Sequence, residues 1–307
     1  MAAQSIIVWD LETVPDLAGF AAANNLVGQT DAHIRSALGN RFPKHIYHTI
    51  VCIGALVAHR ESGRWEVDAL GAPHVGEQTE KQLIRAFCAN IAEFAPQLVT
   101  FNGNSFDLPV LRYRAMIHGI PAPGLAARPY FNRYTEDAID LCDILSSFAP
   151  HTKTSLNELS KIMGLPGKPD GMDGAEVERC FLEGRIKDIA RYCATDVVNT
   201  YRVWLRYELF RGRLSEGEHQ ASERSLADFM AQRVNRTFHA DGAPEVQAEP
   251  PAQTENEISI DTWITDLLDK PEERRAESLY DLLRRLNLSM SHLEEAHGTY
   301  ARRLGLR

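Results

Sequence analysis

Ile6-Ile7-Val8-Trp9-Asp10-Leu11-Glu12-Thr13 is an apolar run that ends in two acids. Runs of this kind read as strands buried in a sheet. Side chains alternate along a strand, so Asp10 and Glu12 project from one face, roughly 6.6–6.8 Å apart along its axis. Neighbouring carboxylates repel, and burying them costs several kcal/mol unless something positive sits between them. A divalent cation is the simplest such partner. If the strand stopped at Trp9, both acids would be solvated loop residues; this stretch alone leaves the two readings open.

Downstream, Leu17 to Arg41 is Ala/Asn-rich and partly helical, an insertion between the first two strands. Ile50–Ala58 is a β-branched run, Trp65–Leu70 alternates with period two, and Ser62-Gly63 supplies the hairpin turn between them. Thr79 caps a helix that runs to Phe94, with Leu83, Ile84, Phe87, Ile91 and Phe94 on one face. A fourth strand over Gln97–Phe101, a helix over Asp107–His118 and a short strand over Ala138–Leu141 follow. Ile144 to Leu209 is mostly helical. The order predicts an α/β fold, a mixed β-sheet flanked by helices.

Two further acidic motifs lie far from the first. Asn102-Gly103-Asn104-Ser105-Phe106-Asp107 follows a strand and opens a helix. Asp107 is either a helix cap or a carboxylate leaving the sheet edge beside Asp10 and Glu12. Tyr192-Cys193-Ala194-Thr195-Asp196 lies in a helical stretch, where positions four apart share a face. Its phenol and carboxylate point to the same place, an arrangement that an amphipathic surface helix also produces.

Taken in order, the three motifs resemble the DEDD superfamily of 3′–5′ exonucleases. That superfamily carries Asp-x-Glu on its first strand, Asn-x-x-x-Phe/Tyr-Asp in its middle and a third motif ending in Asp. One subclass places His five residues before the last Asp, where this chain has Arg191. The other places Tyr four residues before it, where this chain has Tyr192, so the resemblance is to the tyrosine subclass. Ser155–Leu159, Gly164–Pro169 and Leu182–Arg185 are similar to stand-alone exonucleases related to the proofreading domain of family B DNA polymerases.

The resemblance implies a ribonuclease H-like 3′–5′ exonuclease domain over residues 1–210 that releases 5′ mononucleotides. It implies two Mg²⁺ or Mn²⁺ ions held by Asp10, Glu12, Asp107 and Asp196. Tyr192 would orient the attacking water, since a phenol with a pKa of about 10 is a poor base at neutral pH. Leu11, Thr13, Asn102 and Phe106 are the candidate substrate-binding residues. Arg112, Lys153, Lys161 and Lys168 are candidate backbone contacts, and Asp140 is either a support for the metal site or a solvated acid. The expected partner is single-stranded nucleic acid, DNA favoured over RNA. The alternatives are an RNase D-like or oligoribonuclease-like RNA trimmer and a binding module without turnover.

Bulk properties agree with these expectations. The net charge of −9 over 307 residues argues against a whole-surface nucleic-acid binder but not against a local groove with an acidic metal site. The apolar runs are too short to span a bilayer, and no signal peptide is evident. Five scattered cysteines read as buried free thiols of a reducing, cytoplasmic setting. Residues 211–257 turn polar and read as a linker. Residues 258–307 read as a small helical appendage, available to a protein partner.

Overall fold

The structure is a computed structural model that describes residues 4–39, 41–165 and 176–240. The predicted appendage at 258–307, the end of the predicted linker and Lys168 lie outside these residues. The chain begins with β1 (Ser5–Pro15), α1 (Leu17–Ala23) and α2 (Asp31–Leu38). The hairpin β2 (His48–Glu61) and β3 (Arg64–Gly71) comes next, then α3 (Glu80–Phe94), β4 (Gln97–Thr100), α4 (Asp107–Ile117), α5 (Gly124–Ala127) and β5 (Ala138–Asp140). Helices α6 (Leu141–Leu145), α7 (Leu156–Ile162), α8 (Val177–Leu182), α9 (Ile186–Phe210) and α10 (Glu216–Ala240) complete it.

The strands form one mixed sheet in the order β3-β2-β1-β4-β5. β1 is antiparallel to β2 and parallel to β4, which is parallel to β5. Strand β1 does not stop at Trp9 but runs through both acids. Ile7, Trp9 and Leu11 face a core shared with α3 and α4, where Trp9 meets Phe87 at 4.9 Å between ring centroids. Ile6 and Val8 face the opposite core with Val197, Tyr201 and Trp204 of α9. Strand alternation therefore turns Asp10 and Glu12 towards α9. Burying each such large apolar side chain contributes roughly 1.5–3 kcal/mol.

Local chemistry sets the connections. Ser62 and Gly63 both have positive φ, 51° and 89°, the turn whose twist matches a two-residue hairpin. Thr79 and Gln82 form a reciprocal capping box at the start of α3. Buried Arg114 of α4 donates to Glu80 of α3 and to Asp16, the N-cap of α1, at 2.6 Å each. Glu80 also accepts the Ile50 amide of β2 at 2.7 Å. This network fixes α4, and with it Asp107, against three other elements.

The polar stretch after residue 210, read from the sequence as a linker, is helical to Ala240. Its Ser222 and Ser225 hydroxyls accept the Trp65 and Val67 amides of the edge strand β3, at 2.9 and 3.0 Å, and Leu226 is fully buried. The helix covers a sheet edge largely through hydroxyls, so it carries little apolar periodicity for a sequence reading to find. All five cysteines are buried and unbridged. Among the described residues no helix is long and apolar enough to cross a membrane.

Gly54 controls how closely α9 approaches. It pairs with Asp10 across β1 and β2, and a Cβ there would lie 2.6 Å from Cys193 Sγ and 2.9 Å from Val197 Cγ2. Gly54→Ala is expected to force α9 outward and destabilise the fold by about 1–3 kcal/mol, the cost of overpacking a core. Thermal unfolding measures it, and an unchanged Tm would show that α9 has slack.

Candidate active site

Strand β4 pairs with β1 only over Ile6–Val8, which leaves the Leu11 amide beyond the end of its neighbour. Asp107 takes that position: its Oδ1 accepts the Leu11 N–H at 2.9 Å. The N-cap position of α4 belongs to Phe106, and the Asp107 carboxylate reaches across to β1. Burial pushes the Asp107 carboxyl up to about 7, and the nearby charge of Asp140 adds to it, while the Leu11 hydrogen bond acts in the opposite direction.

Helix α9 brings in the third motif. Tyr192, Cys193 and Asp196 are all buried on its inner side. Ligand atoms of Asp10, Glu12 and Cys193 lie within 4.8 Å of one another. The Cys193 thiol faces the Asp10 carboxylate at 3.8 Å, and a hydrogen bond with Cys52, followed by burial, raises its pKa well above the ordinary value. It therefore stays protonated and acts as a neutral donor. The Tyr192 phenol is also raised, by burial first and then by the charges of Asp196, Glu12 and Asp10. Arg191, at the histidine position of the other subclass, has its side chain 78% exposed and paired with Asp188.

Two clefts meet at these acids. The larger, about 500 Å³, is lined by Asp10, Leu11, Glu12, Thr13, Asn102, Phe106, Tyr192 and Asp196. The second, about 440 Å³, shares Asp10, Asn102 and Asp196 and adds Lys153, Thr154 and Ser155. The structure thus gathers all the sequence-predicted site residues around one cleft except Asp107, which lines neither and reaches the site through the Leu11 amide.

The far wall of the larger cleft was not legible in the sequence. Phe42, His45 and His48 line it, and Phe106 packs against all three with ring centroids 5.0–5.8 Å away. His48 Nε2 lies 3.2 Å from the Pro43 carbonyl, which can only accept, so this nitrogen carries the proton. Nδ1 then accepts the Thr13 hydroxyl at 3.0 Å. Burial lowers the His48 pKa, leaving a neutral ring that ties β1 to the Phe42 segment. Phe42 and Pro43 lie just past the Leu17–Arg41 stretch read as an insertion, and no sequence signal assigned them a role.

Asp140 is not solvated. It accepts the backbone amides of Asn102 at 2.7 Å, Asn104 at 3.0 Å and Cys142 at 3.0 Å, fixing the loop where Asn102 holds φ 74°. Lys153 donates to Asn102 Oδ1 at 2.9 Å. Of the other candidate cations, Arg112 stacks on Phe131 at 4.6 Å and Lys161 is exposed.

The mixed sheet and its acid-lined clefts define the class, an α/β domain with a carboxylate-rich site. The chain belongs to the family of predicted 3′–5′ exonucleases related to the exonuclease domain of PolB, whose model matches residues 40–242. Asp107, Tyr192 and Asp196 lie inside that match, and Asp10 and Glu12 precede it. The mixed sheet with helices on both faces agrees with the α/β architecture expected from the sequence. Among solved structures, the chain is similar to the family B DNA polymerase of the hyperthermophilic archaeon Pyrobaculum calidifontis, at 18% identity and a TM-score of 0.44, over 67% of this chain and 24% of that one. It is also similar to a product-bound exonuclease I, at 14% identity and a TM-score of 0.30, over 65% of this chain and 46% of that one. The chain therefore spans less than half the length of either structure. No curated protein matches it.

The raised Asp107 pKa carries a stability signature. The group moves from an ordinary 3.8 to about 7 on folding, so the folded state binds more protons between these values. Metal-free protein should therefore lose stability as pH rises from about 4 towards 7, by at most about 4 kcal/mol for three units at 1.36 each. Asp107→Asn keeps an acceptor for Leu11 and removes the charge, so its Tm should depend less on pH in EDTA. Parallel pH profiles for the two proteins would refute this origin.

Proposed function

We propose that the protein degrades single-stranded DNA from its 3′ end, releasing 5′ mononucleotides, as a two-metal enzyme of the tyrosine subclass. The observation that carries this reading is the placement of Tyr192 and Asp196, one helical turn apart on α9, against Asp10 and Glu12 of β1 on a shared cleft. Asp10, Glu12, Asp107 and Asp196 would hold two Mg²⁺ or Mn²⁺ ions, since hard oxygen donors without a histidine or thiolate suit these cations. The protonated Cys193 thiol does not compete as a ligand. When bound, such ions acidify a water and stabilise the leaving 3′ oxygen.

The chain's own residues supply position. Tyr192 keeps its proton at neutral pH, so its hydroxyl orients the attacking water rather than deprotonating it. Phe106, with the exposed Phe42 beside it, offers ring surface to the terminal base, where stacking contributes about 1–3 kcal/mol per base. Leu11 and Thr13 line the floor of the same cleft. Lys153 occupies the Asn102 carbonyl oxygen, which turns the amide nitrogen of Asn102 into the group that donates to a sugar or phosphate. DNA is preferred because the family is related to a DNA polymerase domain. Five buried thiols support a reducing, cytoplasmic setting.

A time course on 5′-labelled single-stranded DNA and RNA, with Mg²⁺ or Mn²⁺ and with EDTA, tests this reading. A descending ladder, faster on DNA and absent in EDTA, is expected. Faster RNA degradation would reverse the sugar preference, and no metal-dependent product would sink the activity. Asp10→Ala should lower the rate at least about a thousandfold, roughly 4 kcal/mol in the barrier. Tyr192→Phe should cost about 10²–10⁴ in rate. Unchanged kinetics would demote Tyr192 to packing.

A further inference from the structure

Behind Lys153 on the wall of the second cleft lies a cluster whose Asp143, Arg133, Tyr134 and Phe148 the mechanism above does not use. Lys153 pairs with the fully buried Asp143 at 3.0 Å, and Asp143 pairs on its other oxygen with Arg133 at 2.5 Å. The Arg133 guanidinium lies 5.7 Å from the centre of the Phe148 ring, and Tyr134 packs against the same ring at 5.1 Å. Tyr134 is 74% exposed and Phe148 37% exposed. Ser147 and Phe148 both have positive φ, 52° and 60°. Two successive non-glycine residues in the left-handed region are costly, and such strain persists where the surrounding structure enforces it, often at functional positions. Here the strained turn, closed by the Phe148 amide donating to the Asp143 carbonyl at 2.7 Å, brings Phe148 against Arg133 and Tyr134.

We propose that Arg133, Tyr134 and Phe148 form a stacking platform for the upstream nucleotides of a single strand whose 3′ end lies at the acids. The proposal rests on the exonuclease reading for the direction of the strand. Three features support this occupant. Base faces stack on exposed aromatic rings whatever the sequence, and an adjacent arginine adds cation–π attraction and meets the phosphates. A duplex would offer no free base faces to these rings. The chain as a whole is acidic, so a polyanion must be gripped by a local cationic surface, and this one adjoins the second cleft through Lys153 and Asp143. The larger cleft would then hold the terminal nucleotide, and the second cleft would lead the strand outward.

The experiment uses the full chain and the double variant Tyr134→Ala/Phe148→Asn, in which asparagine tolerates the left-handed backbone. Turnover is measured on a trinucleotide and on a strand of about fifteen nucleotides, with unfolding temperatures as the control for folding. The long strand should show a KM raised about tenfold or more, and the trinucleotide a change of no more than about twofold. Equal losses on both substrates, or no loss on either, would overturn the platform. Fluorescence anisotropy of the labelled long strand, with Ca²⁺ in place of Mg²⁺, reads the surface independently of turnover. If the wild type degrades neither substrate but binds the long strand about tenfold more tightly than the variant, the platform stands and the exonuclease reading fails.

Discussion

Repulsion between carboxylates in a water-poor place is the constraint on which this structure turns. Asp10 and Glu12 leave one face of β1, Asp107 meets the backbone of the same strand, and α9 adds Asp196 from above. The fold meets this crowding with neutral donors. The Leu11 amide faces Asp107, and the Cys193 thiol faces Asp10. Neutral donors offset part of a carboxylate's desolvation but do not cancel its charge. Burial, with the charge of Asp140 adding to it, pushes the Asp107 carboxyl up to about 7, and burial followed by the charges of Asp196, Glu12 and Asp10 holds the Tyr192 phenol above its usual range. A scaffold that gathers carboxylates this closely is consistent with the divalent-cation site proposed above.

The scaffold that imposes this crowding is built from ordinary elements. Strand β4 ends at Thr100, so the Leu11 amide needs a partner and a side chain at the start of α4 provides it. Gly54 removes a side chain opposite Asp10, so α9 can lie close enough for a thiol to touch β1. Arg114 and Glu80 hold α4 in register with α3 and β2. Each of these acts at a distance from the clefts, yet each sets the position of one acid relative to the others.

Much of this was legible in the sequence, for identifiable reasons. β1, the hairpin at Ser62-Gly63 and the capped helix α3 declare themselves through period, turn chemistry and capping, all of which are local. The three acidic motifs were legible because each keeps a fixed spacing within a few residues. What escaped was what depends on distant partners. Helix α10 hides because serines, not leucines, meet the edge of β3. Asp140 stayed open between a site support and a solvated acid because two of the amides it accepts belong to a loop nearly forty residues earlier, Asn102 to Asn104. The aromatic wall of the larger cleft joins Phe42 and His48 to Phe106, and no short-range pattern links those positions.

Net charge then bears on how an acidic protein holds a polyanion at all. Arg133 and Lys153 are both within ion-pair distance of Asp143, so part of their charge is already answered inside the protein. Two cations sharing one buried carboxylate keep a net positive surface smaller than their count suggests. Counterion release scales with the number of phosphates neutralised, so this surface gains less from charge than a free lysine cluster would. In the proposed platform, ring stacking would make up the difference. Phe106 and Phe42 pack together at the larger cleft and Tyr134 and Phe148 pack together beside Arg133, and stacking is insensitive to sequence. A grip of the proposed kind would let each base leave and the next advance without a change in affinity, which suits an enzyme that acts on whatever nucleotide stands at the end.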